Sequence, residues 1–292
     1  MPLDFFAGQR PLMNWGARIR RFLGSSVFRR TTSCVLGLTA YTAAGNFLQD
    51  YYQNDILMPA GAQALFGAAL SILLVLRTNS AYDRWWEGRK LWGQLTNECR
   101  NLAVKLKAMA DVEAAELALA RRWLTAVPIC LRDHLRQGVS DETLSRLPEP
   151  VPQGQSHVPG FVSSRLFALV RRWRDQGKLH RLDHHLIDRH IAALLDICGG
   201  CERIRNTPLP LSHRALIPQL LVVYLVLLPV GMDTNPWNLA LVAGVGYFLI
   251  GLELVAEDIE EPFGLDLDDL PLDRLCDNIG RFASETLPEH EA

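Results

Sequence analysis

Three groups of residues carry side chains able to do chemistry. Cys198-Gly-Gly-Cys201 has the C-x-x-C spacing of a redox pair. That chemistry needs a thioredoxin-like βαβ context, and no alternating strand pattern surrounds the motif. Two glycines inside a helical stretch read better as a bend or a close packing point. His180, His184, His185 and His190 form a second group, which with Cys198 could offer nitrogen and sulfur to zinc. His185 and His190 stand five apart, a poorer pair on one helix face than i, i+4. A wet, charged helix face is the expected use. The third group is residues 257–273 (EDIEEPFGLDLDDLPLD), with eight acids and no base. Hard oxygen ligands of this kind suit a divalent cation, and equally suit a solvated connector. No glycine-rich phosphate loop, nucleophile elbow or metalloprotease motif occurs. The sequence predicts no enzyme and no bound cofactor.

The elements around these groups are apolar. The chain has 292 residues, 49% hydrophobic and 21% charged, with mean hydropathy +0.05. This mixture predicts several membrane spans joined to a sizeable water-exposed part. A net charge of −2 gives no global basic field for nucleic acid. Six scattered cysteines do not make a disulfide framework. The N-terminus lacks a short apolar core with a small-residue cleavage site, so no cleaved signal peptide is expected.

Four stretches approach the roughly 20 apolar residues that cross a bilayer. They are 31–48, rich in threonine, then 56–76, which holds no charge, 215–232 and 234–252. The last two, separated by Asp233, read as a helical hairpin. Arg10, Arg18, Arg20, Arg21, Arg29 and Arg30 precede the first span with no acid between Asp4 and Asp50. The loop 50–55 has acids and no base, and Arg77 and Arg214 flank the second and third spans. Lysine and arginine bias therefore predicts cytoplasmic termini and a cytoplasmic 78–213 segment. The expected organisation is an N-terminal segment 1–30, spans in 31–77, a cytoplasmic helical domain 78–213, spans in 214–256, and an acidic C-terminal segment 257–292. The fold class is all-α. Pro128 is expected to kink a helix over 112–137, and the proline-rich 138–160 reads as a loop.

Leaving the second span, RTNSAYDRWWEGRKLWG (77–93) resembles the signature of the bestrophin family of ion channels. VAEDIEEPFG (255–264) and DLDDLPLD (266–273) are similar to later segments of the same family, the second to its bacterial form. The resemblance implies a homopentamer in the bacterial inner membrane, four membrane helices per subunit, and a pore lined by the second. It matches Ala68, Ile72 and Leu76 to the family's hydrophobic neck. Their i, i+4, i+8 spacing places them on one stripe of a helix. An apolar ring gates by dewetting, since an ion there loses hydration without replacement. Ala68 is small where the family often has a bulky residue, so the upper ring is expected to be wide. Pro59, Gly61 and Gly67 would permit bends or close approach near the helix start.

The same resemblance matches a cytosolic constriction to Leu182 and Leu186. It matches calcium ligands of animal bestrophins to Asp258, Glu261, Asp266 and Asp269, although Leu265 and Leu267 interrupt the run and put calcium in doubt. Pairing of the acidic run with Arg18, Arg20 or Arg21 is the plainer expectation. An apolar neck does not choose ion sign. Likeness to the bacterial branch, and to a sodium-conducting pore in it, gives the expectation of a monovalent cation channel. A chloride channel of the same architecture is the alternative. A membrane-anchored interaction protein is the rival from another class. A transporter is disfavoured, because the four spans hold no ionisable residue at mid-depth.

Overall fold

A computed structural model describes residues 15–52, 60–230, 232 and 235–287. Arg10, Pro59, Asp55 and Asp233 lie outside the described residues, as do the side chains of Arg18 and Arg21. Among the described residues the chain is entirely helical, with no strand. The helices are α1 (Trp15–Leu23), α2 (Ser26–Tyr52), α3 (Ala60–Met109), α4 (Ala114–Leu135), α5 (Asp141–Ser145), α6 (Val158–Asp175), α7 (Arg181–Asn206), α8 (Leu211–Leu227), α9 (Pro236–Glu260) and α10 (Leu272–Thr286). They divide into two units. Residues 1–82 with 209–260 form the first, and residues 83–208 with 261–292 the second.

The first unit holds the apolar stretches. Leu70 and Leu74 of α3, Ile217, Leu221 and Leu225 of α8, and Val242 and Leu249 of α9 form its core. Among the described residues two helices are long and apolar enough to cross a membrane, one over Gly61–Met109 and one over Pro236–Glu260. The apolar part of α8, Arg214–Leu227, is shorter. Helix α2 has 27 residues, about 40 Å of helix, but its threonines lower its apolar content. Those hydroxyls turn back on their own helix. Thr39 Oγ1 donates to the Val35 carbonyl at 2.7 Å, and Thr42 Oγ1 to the Leu38 carbonyl at 2.9 Å. A polar side chain satisfied within its own helix can face an apolar neighbour at little cost. Helices α2 and α9 pack closely at Gly246, where a Cβ would meet Leu38 Cδ2 at 2.6 Å.

The second unit is a helical domain with a conventional core. Trp92, Leu95, Cys99, Leu102 and Leu106 recur on α3 at alternating steps of three and four, so one face of the helix is buried throughout. Against it pack Trp123 and Leu131 of α4, Leu166 and Trp173 of α6, and Ile187 and Leu194 of α7. Pro128 is buried inside α4 and the helix runs through it. The loop expected over 138–160 contains the short helix α5, capped by Ser140 Oγ accepting from Thr143 N at 3.2 Å. The C-terminal stretch is more than an acidic connector. From Leu272 it forms α10, whose Leu272, Cys276, Ile279 and Ala283 are spaced i, i+4, i+7, i+11 and buried. Asp273 at its start takes hydrogen bonds from Arg132 Nη1 at 2.8 Å and Arg136 Nη2 at 2.9 Å of α4.

Candidate functional site

Helix α3 buries one face in the first unit and leaves the other open. Leu70, Leu74, Arg77 and Ala81 are 2% exposed or less. Ile72 and Leu76 are 63% and 52% exposed, and Ala68 is exposed with them. At 100° per residue Ile72 points about 200° away from Leu70. Among the described residues the apolar stripe Ala68, Ile72, Leu76 therefore stands largely exposed, away from the buried Leu70 and Leu74. It is free to meet lipid, another subunit or a shared axis.

An ion-pair network fixes the buried face. Arg77 Nε donates to Glu253 Oε1 at 2.9 Å, and its Nη1 donates to Glu260 Oε2 at 3.0 Å. Arg214 Nε of α8 lies 3.5 Å from the other Glu260 oxygen. The Arg77 and Glu260 side chains are 3% and 1% exposed. From the sequence Arg77 reads as the residue where the chain leaves lipid. In the structure it turns inward and clamps α3 to α9. Arg77 adjoins Leu76, so holding its guanidinium inward holds the stripe outward. Burial of a charge requires such partners.

In the second unit the similar segments meet in space. Gly88 faces Pro262 and Phe263, and a Cβ there would lie 3.1–3.3 Å from their rings. Trp85 Nε1 donates to the Asp268 carbonyl at 3.0 Å, and Leu270 N to the Pro262 carbonyl at 3.0 Å. Trp85 and Trp86 stack at 6.5 Å between centroids. Trp85 packs against the core of this helical domain. Arg84 closes the far side, with Nη1 donating to Thr207 O at 2.7 Å and Nη2 to Ile204 O at 2.6 Å.

Leu182 and Leu186 lie one turn apart near the start of α7 and are 70% and 39% exposed. The opposite face of α7 buries Ile187, Ile191 and Leu194. The acidic positions are differently employed. Asp269 Oδ2 accepts from Asp266 N at 2.7 Å, closing a turn against Gly264. Among the described residues no three of Asp258, Glu261, Asp266 and Asp269 bring ligand atoms within 4.8 Å of one another. Glu257 pairs with Arg30 at 2.9 Å; of the arginines expected to meet the acidic run, the Arg18 and Arg21 side chains lie outside the described residues.

The histidines of α7 do not gather either; His180 and His185 are exposed, as a wet face requires, while His184 is buried and His190 half-buried. His180 caps the helix, its Nδ1 accepting from Leu182 N at 3.3 Å. His184 is buried against Phe167, and burial, with Arg174 beyond it, pushes its pKa down. His190 sits between Glu98 Oε2 at 2.5 Å and Lys105 Nζ at 2.7 Å. Cys198 and Cys201 are buried free thiols, and burial pushes Cys198 up to about 12. A thiol held protonated is a weaker nucleophile than a thiolate.

Comparison with known proteins gives this geometry a frame. The signature of the family described as "Bacterial/Fungal Bestrophin protein" matches residues 7–285. A Mesorhizobium japonicum protein named "Voltage-dependent anion channel-forming protein mll4386" is 33% identical over 265 residues, covering 86% of this chain and 83% of its own. A Nostoc protein named "Voltage-dependent anion channel-forming protein alr2987" is 35% identical over 278 residues, covering 90% and 88%. The crystal structure of a bacterial bestrophin homolog from Klebsiella pneumoniae superposes with a TM-score of 0.78 at 22% identity, over 90% of this chain and 99% of that one. With an all-helical fold of that form and a family match along nearly its whole length, the chain belongs to the bacterial and fungal branch of the bestrophin family of ion channels.

Proposed function

We propose that the protein is a homopentameric channel of the bacterial inner membrane that passes monovalent anions, chloride among them. Its gate is a dry neck formed by Ala68, Ile72 and Leu76. The observation that carries this reading is the outward apolar stripe beside an inward ion-pair clamp on one helix. Lipid alone would not require a buried arginine to set the rotation of α3. A neck does, because its radius depends on which side chains point at the axis. Leu182 and Leu186 form the second constriction, and the lysine and arginine bias sets both termini in the cytoplasm.

The sign of the ion follows the relatives, which are named anion channel-forming proteins. The sequence expectation of a sodium pore finds no support there and gives way to the anion reading. Calcium regulation is not part of this reading.

The test is chloride efflux from proteoliposomes loaded with the purified protein. Wild-type protein is expected to release chloride on dissipation of the potential by an ionophore. Ile72→Ala is expected to speed that release several-fold by widening the dry segment. Equal rates from loaded and empty vesicles would overturn the proposal.

A further inference from the structure

The second unit gathers a set of ligand atoms that the channel reading does not use. His134 Nε2 lies 2.7 Å from Glu202 Oε1, and His157 Nε2 lies 3.0 Å from the same oxygen. Cys198 Sγ lies 3.7 Å from His157 Nε2. The His134, His157 and Glu202 ligand atoms all fall within 4.8 Å of one another. Three elements supply them: the end of α4, the cap of α6, and one residue of α7.

We propose that His134, His157 and Glu202 form a site for a single zinc ion, or another borderline-soft divalent ion, that staples α4, α6 and α7 together. Two imidazoles and one carboxylate are a zinc set that leaves one position to water. A tetrahedral ion with ordinary zinc bond lengths would put a nitrogen and an oxygen about 3.3 Å apart. The two nitrogen–oxygen edges, 2.7 and 3.0 Å, are closed by hydrogen bonds and need to open by about 0.3–0.6 Å. Cys198 Sγ touches His157 Nε2 but stands outside the three-atom group. Glu202 descends from helix already held in place, since Arg205 of α7 donates to the His134 and Arg136 carbonyls. Gly160 leaves room for the His157 ring, since a Cβ there would lie 2.5 Å from Nδ1.

Loading the site rearranges protons in a definite way. His157 Nδ1 accepts from Gly160 N at 2.9 Å, so the neutral ring carries its proton on Nε2, towards Glu202. A metal on Nε2 moves that proton to Nδ1 and gives up the Gly160 contact. The His134 Nε2 proton, which faces Glu202, likewise moves to Nδ1 or leaves to solvent. The cost is one helix-cap hydrogen bond against three coordinate bonds from the protein.

The experiment uses full-length protein in detergent, stripped with a chelator. Zinc alone is titrated against a chromophoric competitor, and cobalt replaces it for spectroscopy. The expected result is one saturable site per subunit. Cobalt should show the intense visible bands of a tetrahedral ion. His134→Ala and Glu202→Gln should each weaken zinc binding at least tenfold. The melting transition of each variant in chelator shows whether it is folded. Absence of a saturable site, zinc binding that survives His134→Ala, or an octahedral cobalt spectrum would overturn the proposal. No current is measured, so the outcome is independent of the channel reading.

Discussion

A guanidinium that is almost wholly out of solvent needs acceptors for its donors, and Arg77 finds them in Glu253 and Glu260. Replacing it with methionine would take the arginine from buried Glu253 and leave Glu260 with Arg214. Arg77→Met is expected to destabilise the protein by about 3–5 kcal/mol, the usual cost of removing one partner of a buried pair, read from its denaturant midpoint in detergent. A midpoint unchanged from wild type would remove the clamp from the account. The stripe predicts a different phenotype. Leu76→Ala should leave the melting transition near wild type, since Leu76 is half exposed, while raising single-channel open probability. Sequence pattern gave the stripe as a spacing and the clamp not at all. Ala68, Ile72 and Leu76 can be seen as a helix face because i, i+4 periodicity is local. Arg77 and Glu253 are separated by 176 residues, and nothing local marks either one as buried rather than solvated.

At the level of the elements, the contacts that align helices are made by glycines. Gly246 lets α9 approach Leu38 of α2, and Gly67 lets α3 approach the Tyr224 hydroxyl of α8, where a Cβ would lie at 2.8 Å. Gly246→Val is expected to cost about 1–3 kcal/mol through overpacking, seen as a lower melting temperature. Helix α10 offers a pH-dependent test. Its Asp273 carboxyl is held below its ordinary value of 3.8 by the hydrogen bond from Arg136, with Arg132 adding to it. A depressed carboxylate stabilises the folded state fully above its unfolded value, and that contribution fades as pH falls through the folded value. Asp273 is more than half exposed, so the effect is under about 1 kcal/mol. Asp273→Asn should lower the melting temperature slightly at pH 7 and not at all at strongly acid pH. Equal shifts at both would assign the loss to packing. Helix α10 was also the element that its own residues hid. Its acidic lead-in suggests a solvated tail, and the i, i+4, i+7 spacing after Leu272 is short enough to be overlooked.

On the scale of the whole molecule, one subunit cannot enclose a neck, so the function rests on how copies assemble. Particle images of the purified protein are expected to show five-fold symmetry with α3 nearest the axis. The all-α class and the apolar stretches were legible in the sequence because composition and hydropathy run along the chain. The signatures over 77–93 and 255–273 pointed to the family, but their contact through Gly88 and Phe263 is tertiary and has no linear trace. Ion sign is not legible in the sequence for a physical reason, since an apolar stripe carries no charge from which to read it. The His134–Glu202–His157 group was missed because its members lie up to 68 residues apart, on three elements, while attention to spacing favoured the histidines of α7. The most direct measurement is the reversal potential of purified channels in a planar bilayer under a potassium chloride gradient. The account predicts current that reverses near the chloride equilibrium potential. Reversal near the potassium equilibrium potential would contradict it.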